Sequence, residues 1–398
     1  MHNESVTHFR SVDAGERRSR LARRHRLAPG SRARDVVDAA DSLVALHATD
    51  QATIHLSAWA RVDGLTVADV DHALHEERSL VKHLAMRRTL FVFPRHRLAH
   101  AQAGASDRVA AAERRRLARE VEDAGLHPDG ERWIRDAEAA VLDALRGDRS
   151  ASWTELRDEL PILTGSIEYG EGKAWAGRAA IGPRILTVLS AQGRLVRAGN
   201  GGGWNVSRNR WAVTESWLGA PIVGCTAEDG TRELVRSWLR SFGPGTEADL
   251  KWWLGSTLTA VRRALAELDV VEVELDGHTG YLLADDVEPE PEIEPWGALL
   301  PTLDPTTMGW QEREWYLGPH REQLFDSVGN AGPTAWWEGR IVGGWWQDPD
   351  GAVVVHLLED VGADARAVLD REAERLTEWI DGARVTLRYP SPLAKRFA

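Results

Sequence analysis

Residues 231–285 read TRELVRSWLR SFGPGTEADL KWWLGSTLTA VRRALAELDV VEVELDGHTG YLLAD, and the punctuation in this stretch decides the fold. Over Thr231–Phe242, Leu234, Trp238, Leu239 and Phe242 recur at helical spacing, and Gly243-Pro244-Gly245 stops the helix. Thr246, with Asp249 three residues on, is a capping-box arrangement for a second helix that ends at Gly255. Ser256 is placed to cap a third helix, Thr257–Leu268, with Leu258, Val261, Leu265 and Leu268 as its buried stripe. Val270–Leu275 alternates as a strand, Asp276-Gly277-His278 turns, and Tyr281–Ala284 returns as its partner. Three short helices followed by a hairpin is the order of a winged helix.

The same order occurs upstream. Trp133–Arg146 is predicted helical, and Ser152-Trp153-Thr154-Glu155 opens a short helix ending near Pro161. A third helix, about Arg178 to Gln192, precedes a strand Arg194–Ala198, and Trp204–Ser207 is expected to pair back across the Gly199–Gly203 tip. At the N-terminus, Arg34–Ala48 and Thr66–Glu77 read as helices and Met86–Phe93 as a strand. Downstream, the acidic, proline-broken run Asp285–Glu292 reads as a solvated spacer. Beyond it, Thr334–Trp337, Arg340–Trp346, Ala352–Leu358 and Arg384–Tyr389 read as strands and Asp364–Ile380 as a helix. The expected class is α+β: tandem winged-helix domains followed by a small β-rich, barrel-like C-terminal domain. The expected boundaries are 1–128, 129–228, 229–287 and 296–398.

Composition narrows the function. Cys225 is the sole cysteine of 398 residues, which excludes an internal disulfide and any multi-cysteine zinc or iron–sulfur site. No run of about 18 apolar residues occurs, so no membrane span is expected, and the arginine-rich start lacks the apolar run of a secretory signal. A cytoplasmic monomer is the expectation. The net charge of −12 counts against wrapping a polyanion, yet 45 of the 49 bases are arginines, whose planar fork suits phosphate. The 18 tryptophans include the pairs Trp252-Trp253, Trp336-Trp337 and Trp345-Trp346; in a strand one of each pair faces the core and one faces out.

Nucleotide-cofactor and serine-hydrolase motifs are absent, and no cofactor is expected. His72 and His75, at i, i+3 spacing beside Glu76, are too few for zinc, and no metal is expected. The sharper candidate is Leu46-His47-Ala48-Thr49-Asp50. On a helix beginning near Asp35, with Val36, Ala40, Leu43 and Val44 as its stripe, His47 continues the apolar face at the C-terminal end, where the dipole favours its protonated form. Thr49 and Asp50 follow where the chain leaves that helix and are placed to face the same space.

These residues carry a resemblance. Leu43-Val44-Ala45-Leu46-His47-Ala48-Thr49-Asp50 with Leu56-Ser57-Ala58-Trp59-Ala60-Arg61 resembles the N-terminal signature of the AlkZ/YcaQ-like winged-helix DNA glycosylases. Ser79–Leu90, Leu299–Pro305 and Gly339–Trp345 support it in family order. The resemblance implies tandem winged helices forming a concave surface for double-stranded DNA, and catalysis at the family's Gln-x-Gln or Gln-x-Asp motif. Here His47 and Thr49 occupy those two positions. Arg88 and Phe91 stand where the family commonly has a glycine and a histidine.

Alkylation at N7 or N3 makes a purine cationic and a good leaving group, so such an enzyme needs a placed water more than a general acid. Neutral His47 can orient that water or act as base; Thr49 can hold it through its hydroxyl, and Asp50 can orient His47 or face the developing cation. If the concave surface binds DNA, Arg87, Arg88, Arg178, Arg184, Arg208, Arg262 and Arg263 are expected to line it. Three functions are compatible with the residues: a glycosylase for cationic alkylated purines, a catalytically silent winged-helix DNA-binding regulator or lesion sensor, and a protein-interaction scaffold.

Overall fold

The computed structural model describes residues 10–169 and 177–396. The chain forms two compact units, one from residues 1–70 with 232–398 and one from 71–231. The division cuts the expected 1–128 segment at residue 70. Both units are α+β, with small, mainly antiparallel sheets and one short parallel addition, Arg10–Ser11 beside Val273–Glu274.

In the first unit the deciding stretch forms helices Ala227–Phe242, Glu247–Leu254 and Leu258–Ala266, followed by the hairpin Val270–Leu275 and His278–Leu283. Thr246 and Asp249 make the reciprocal capping box, and Gly255 ends the second helix in the left-handed region that glycine adopts without penalty. Thr257, not Ser256, caps the third helix. A feature the sequence reading missed is the strand Arg10–Ser11, which lies parallel to Val273–Glu274 and seals Val12 against Val273, Leu275 and Leu282.

The acidic run after the hairpin is not a free spacer. Arg20, almost wholly buried in the helix Ala14–Arg24, donates to the carbonyls of Asp286 and Glu288. Arg24 donates to the Asp286 carboxylate at 2.8 Å, and Arg23 pairs with Glu290. Part of the N-terminal arginine excess is therefore structural.

The C-terminal sheet has the order Gly297–Leu300, Thr334–Trp337, Arg340–Gln347, Val353–Leu357, all antiparallel, covered by the helix Gly362–Ile380. It is an open four-stranded sheet, and no closed barrel occurs among the described residues. Residues 384–389 form no strand; side-chain contacts hold them instead, with Arg384 donating to the carbonyls of Asp348 and Pro349 and the Val385 N–H donating to Gln347 Oε1. Trp336 and Trp345 are buried while Trp337 and Trp346 are half-buried, as strand alternation requires. The buried indoles have partners: Trp336 Nε1 donates to Thr334 Oγ1 and Trp345 Nε1 to the Leu300 carbonyl.

In the second unit, helices Asp107–Asp123, Gly130–Ala144 and Gly182–Ala191 pack around Leu117, Val121, Ile134, Val141, Ile185 and Leu189. The Ser152–Glu155 capping box forms as expected. Two boundaries differ from the sequence reading. Arg178 lies in the strand Gly177–Ala180, paired with Ser166–Tyr169, and the third helix starts only at Gly182. The strand Leu195–Asn200 pairs with Asn209–Val213, leaving Trp204–Ser207 in the tip. Asn200 closes that tip, donating to the carbonyls of Gly203 and Val206 and accepting from the Arg208 N–H.

The first two of these helices touch where a Cβ on Gly130 would lie 2.1 Å from the Ala118 carbonyl oxygen. Because the obstacle is backbone, Gly130→Ala is expected to lower unfolding free energy by about 1–3 kcal/mol despite the better helix former, read by denaturant titration.

His83, in the strand Leu80–Ala85, is 4% exposed. Its Nε2–H donates to Ser106 Oγ at 3.0 Å, since the Ser106 hydroxyl donates to the Ala101 carbonyl. Burial, with the charge of Arg197 adding to it, pushes the imidazole down to about 4. The unfolded chain binds the proton first, so stability is complete above about pH 6.5 and falls between there and pH 4, by about 3 kcal/mol. His83→Gln is expected to flatten that slope in pH-dependent denaturation; an unchanged slope would assign the acid sensitivity elsewhere.

Candidate active site

His47 does not continue a helix. The helix Val36–Ser42 ends five residues earlier, Val44 has a φ of 65°, and Leu46–His47 form a short strand. No helix C-terminus lies at this position, so no helix dipole favours a protonated His47. A β-branched residue in the left-handed region reverses the chain where the stripe pattern predicts another turn of helix.

The motif itself is one tight loop. The Thr49 N–H donates to His47 Nδ1 at 3.4 Å, which leaves the proton of a neutral ring on Nε2. Asp50 caps the helix Gln51–Trp59 by accepting from the Ala52 N–H at 3.2 Å. His47 and Asp50 are buried at 6% and 7% exposure, and Thr49 is half-buried. Burial raises the Asp50 carboxyl above its ordinary range, opposed by the backbone N–H groups of Ala52 and Arg388.

Arg388 is the residue that sequence reasoning missed. Its guanidinium donates to the Thr49 carbonyl at 3.1 Å, so the C-terminal segment fastens the motif loop from 339 residues away. No local pattern signals such a contact.

Behind the loop, Arg61 and Asp304 form a fully buried ion pair, with Arg61 Nη2 2.7 Å from Asp304 Oδ1. The helix following the motif is also tied to the Leu299–Pro305 segment by Thr53 Oγ1, which donates to the Thr302 carbonyl. Two of the segments that carry the family resemblance thus meet here.

The candidate DNA-contacting arginines fall into both units. Arg88, Arg178, Arg208, Arg262 and Arg263 are exposed, while Arg87 and Arg184 are half-buried. Arg88 and Arg184 converge on Glu113, at 2.8 and 3.9 Å, and Arg184 also pairs with Glu120. Arg262 pairs with Glu247. Phosphates would have to compete with these carboxylates.

Arg87 and Arg88 form the turn between the strands Leu80–Ala85 and Thr89–Pro94, both with positive φ, 54° and 58°. That geometry explains a glycine at the position of Arg88, since a side chain there costs about 1–2 kcal/mol. His72 pairs with Glu76 at 2.8 Å, and no group of three or more His, Cys, Asp or Glu among the described residues is placed to hold a metal ion. Also among the described residues, no helix is long and apolar enough to cross a membrane.

A family model described as DNA glycosylase AlkZ-like matches residues 40–379, and the chain belongs to that family. Among solved structures, the Streptomyces sahachiroi DNA glycosylase AlkZ is similar in fold, with a TM-score of 0.73 at 18% sequence identity over 95% of this chain and 99% of that one. No curated protein matches the chain in sequence.

Proposed function

We propose that the protein hydrolyses the N-glycosidic bond of cationic alkylated purines in duplex DNA, with His47, Thr49 and Asp50 as the catalytic group. The observation that carries this reading is the family match, which spans the loop holding all three residues. In the proposed mechanism the water accepts the His47 Nε2–H on one lone pair and donates to the Thr49 hydroxyl, leaving its second lone pair for the anomeric carbon. His47 then orients water rather than accepting its proton, because Nδ1 is committed to the Thr49 N–H. Asp50 supplies negative charge toward the oxocarbenium-like transition state and takes up the proton released by attack.

The modules at 129–228 and 229–287 are read as winged helices that engage the duplex through Arg178, Arg184, Arg208, Arg262 and Arg263, together with Arg87 and Arg88 from the segment before them. Helix–helix–helix–hairpin order in 227–283 supports this reading. Log affinity for duplex is expected to fall linearly with log salt, at about 0.9 per phosphate contacted, in a fluorescence anisotropy series. Retention that is indifferent to salt would leave only a scaffold. Release of free 7-methylguanine from a methylated duplex tests the chemistry. The departure from the family's glutamines favours a silent DNA binder if duplex is bound and no base is released.

A further inference from the structure

The first unit contains a cavity of about 300 Å³ lined wholly by its own residues, and none of the catalytic or DNA-contacting residues proposed above is among them. Arg17 lines it from the helix Ala14–Arg24 and is 7% exposed. The centre of the Trp315 ring lies 4.2 Å from its guanidinium carbon. Its Nε is sealed off without an acceptor, whereas the two Nη groups keep accessible surface, and among the described residues nothing accepts a hydrogen bond from them. Burial pushes this guanidinium down to about 10, opposed by the more distant charges of Asp249, Asp276 and Glu312, so it stays charged at neutral pH. By contrast, Arg20 and Arg61 each hold a carboxylate. A guanidinium taken out of water without an acceptor is costly, and a ligand that supplies one relieves that cost.

Three carboxylates, Asp276, Glu312 and Glu314, line the same cavity, and none of them is ion-paired with Arg17. Glu312 is half-buried, and among the described residues its carboxylate receives no hydrogen bond. A simple anion on Arg17 would meet these negative charges, and a simple cation would leave Arg17 unmet. A ligand that satisfies both carries a carboxylate and an ammonium close together. Leu275 and Trp315, also in the lining, suit an apolar side chain, and the volume is at the small end of ligand pockets, which fits one amino acid better than a peptide. We propose that this cavity binds a free α-amino acid with an apolar side chain, its carboxylate on the Arg17 Nη groups and its ammonium on Glu312. Asp276 lies in the turn between the strands Val270–Leu275 and His278–Leu283, so occupancy joins that turn to the helix Ala14–Arg24.

The probes are L-leucine, 3-methylbutylamine, which is leucine without its carboxylate, and 4-methylpentanoate, which is leucine without its ammonium. Titration calorimetry of the full chain is expected to show saturable binding of leucine, with each analogue weaker by at least about tenfold. Arg17→Met keeps an apolar stem beside Trp315 and removes an unpaired buried charge, so its Tm is expected to hold or rise. It is expected to weaken leucine by at least about tenfold while leaving 3-methylbutylamine unchanged. Glu312→Gln is expected to weaken leucine by at least about threefold without weakening 4-methylpentanoate. If the Tm of Arg17→Met falls instead, Glu312→Gln alone decides. No saturable binding of leucine, either analogue binding as tightly as leucine, or leucine binding undiminished in the deciding variant overturns the proposal.

Discussion

Asp304→Ala is expected to lower the unfolding free energy by about 3–5 kcal/mol, because it strands the Arg61 charge where no water reaches it. Asp304 Oδ1 accepts from Arg61 Nη2 at 2.7 Å and from the Thr306 N–H at 2.9 Å; Oδ2 accepts from Arg61 Nη1 at 2.9 Å and from Ser57 Oγ at 2.6 Å. The network extends outward. Arg61 also donates to Thr306 Oγ1, whose hydroxyl then donates to His25 Nδ1 at 2.8 Å, and His25 Nε2–H reaches the Ser241 carbonyl. His25 is fully buried, and burial holds its imidazole well below its usual range, so the ring stays neutral in this chain of bonds. Four separated segments, at 25, 57–61, 241 and 304–306, depend on one carboxylate. The double replacement Arg61→Met with Asp304→Leu removes both charges and is expected to be less destabilising than Asp304→Ala alone. Denaturant titration of the three proteins checks the ordering. A loss under about 1 kcal/mol for Asp304→Ala would mean that the pair contributes only packing.

His47→Ala is expected to slow single-turnover release of 7-methylguanine by at least about tenfold, toward the 10²–10⁴-fold range of a lost positioning or acid–base group, with duplex affinity nearly unchanged. The separation matters because His47 sits beside the N-cap of a wholly buried helix, and a misfolded loop would impair binding as well as rate. Thr49→Val keeps the size and removes the hydroxyl, so it tests the water contact while the backbone N–H still fixes the imidazole tautomer. Full activity in His47→Ala removes the residue from the mechanism.

Much of the fold was legible because its signals are local. The Thr246–Asp249 and Ser152–Glu155 capping boxes, the left-handed glycine at 255, and the hairpin turn at 275–278 each depend on residues within four positions of one another, so neighbouring chemistry alone selects the conformation. The tryptophan pairs were legible for the same reason, since alternation is a property of a single strand. The family was legible from motif order along the chain. What sequence alone misplaced was decided at a distance. The stripe through Leu43, Val44 and His47 satisfies helical periodicity, but tertiary packing turns the chain at Val44 and makes His47 part of a strand. The acidic run at 285–292 has the composition of a solvated spacer, yet it is gripped by arginines more than 260 residues earlier. Residues 384–389 alternate like a strand but are held by side chains rather than a ladder: the Val385 N–H donates to Gln347 Oε1, and Arg388 fastens the Thr49 carbonyl. Propensity and capping are short-range energies written in the sequence. The partners of buried charges, and the edges available to strands, exist only once distant segments have been brought together.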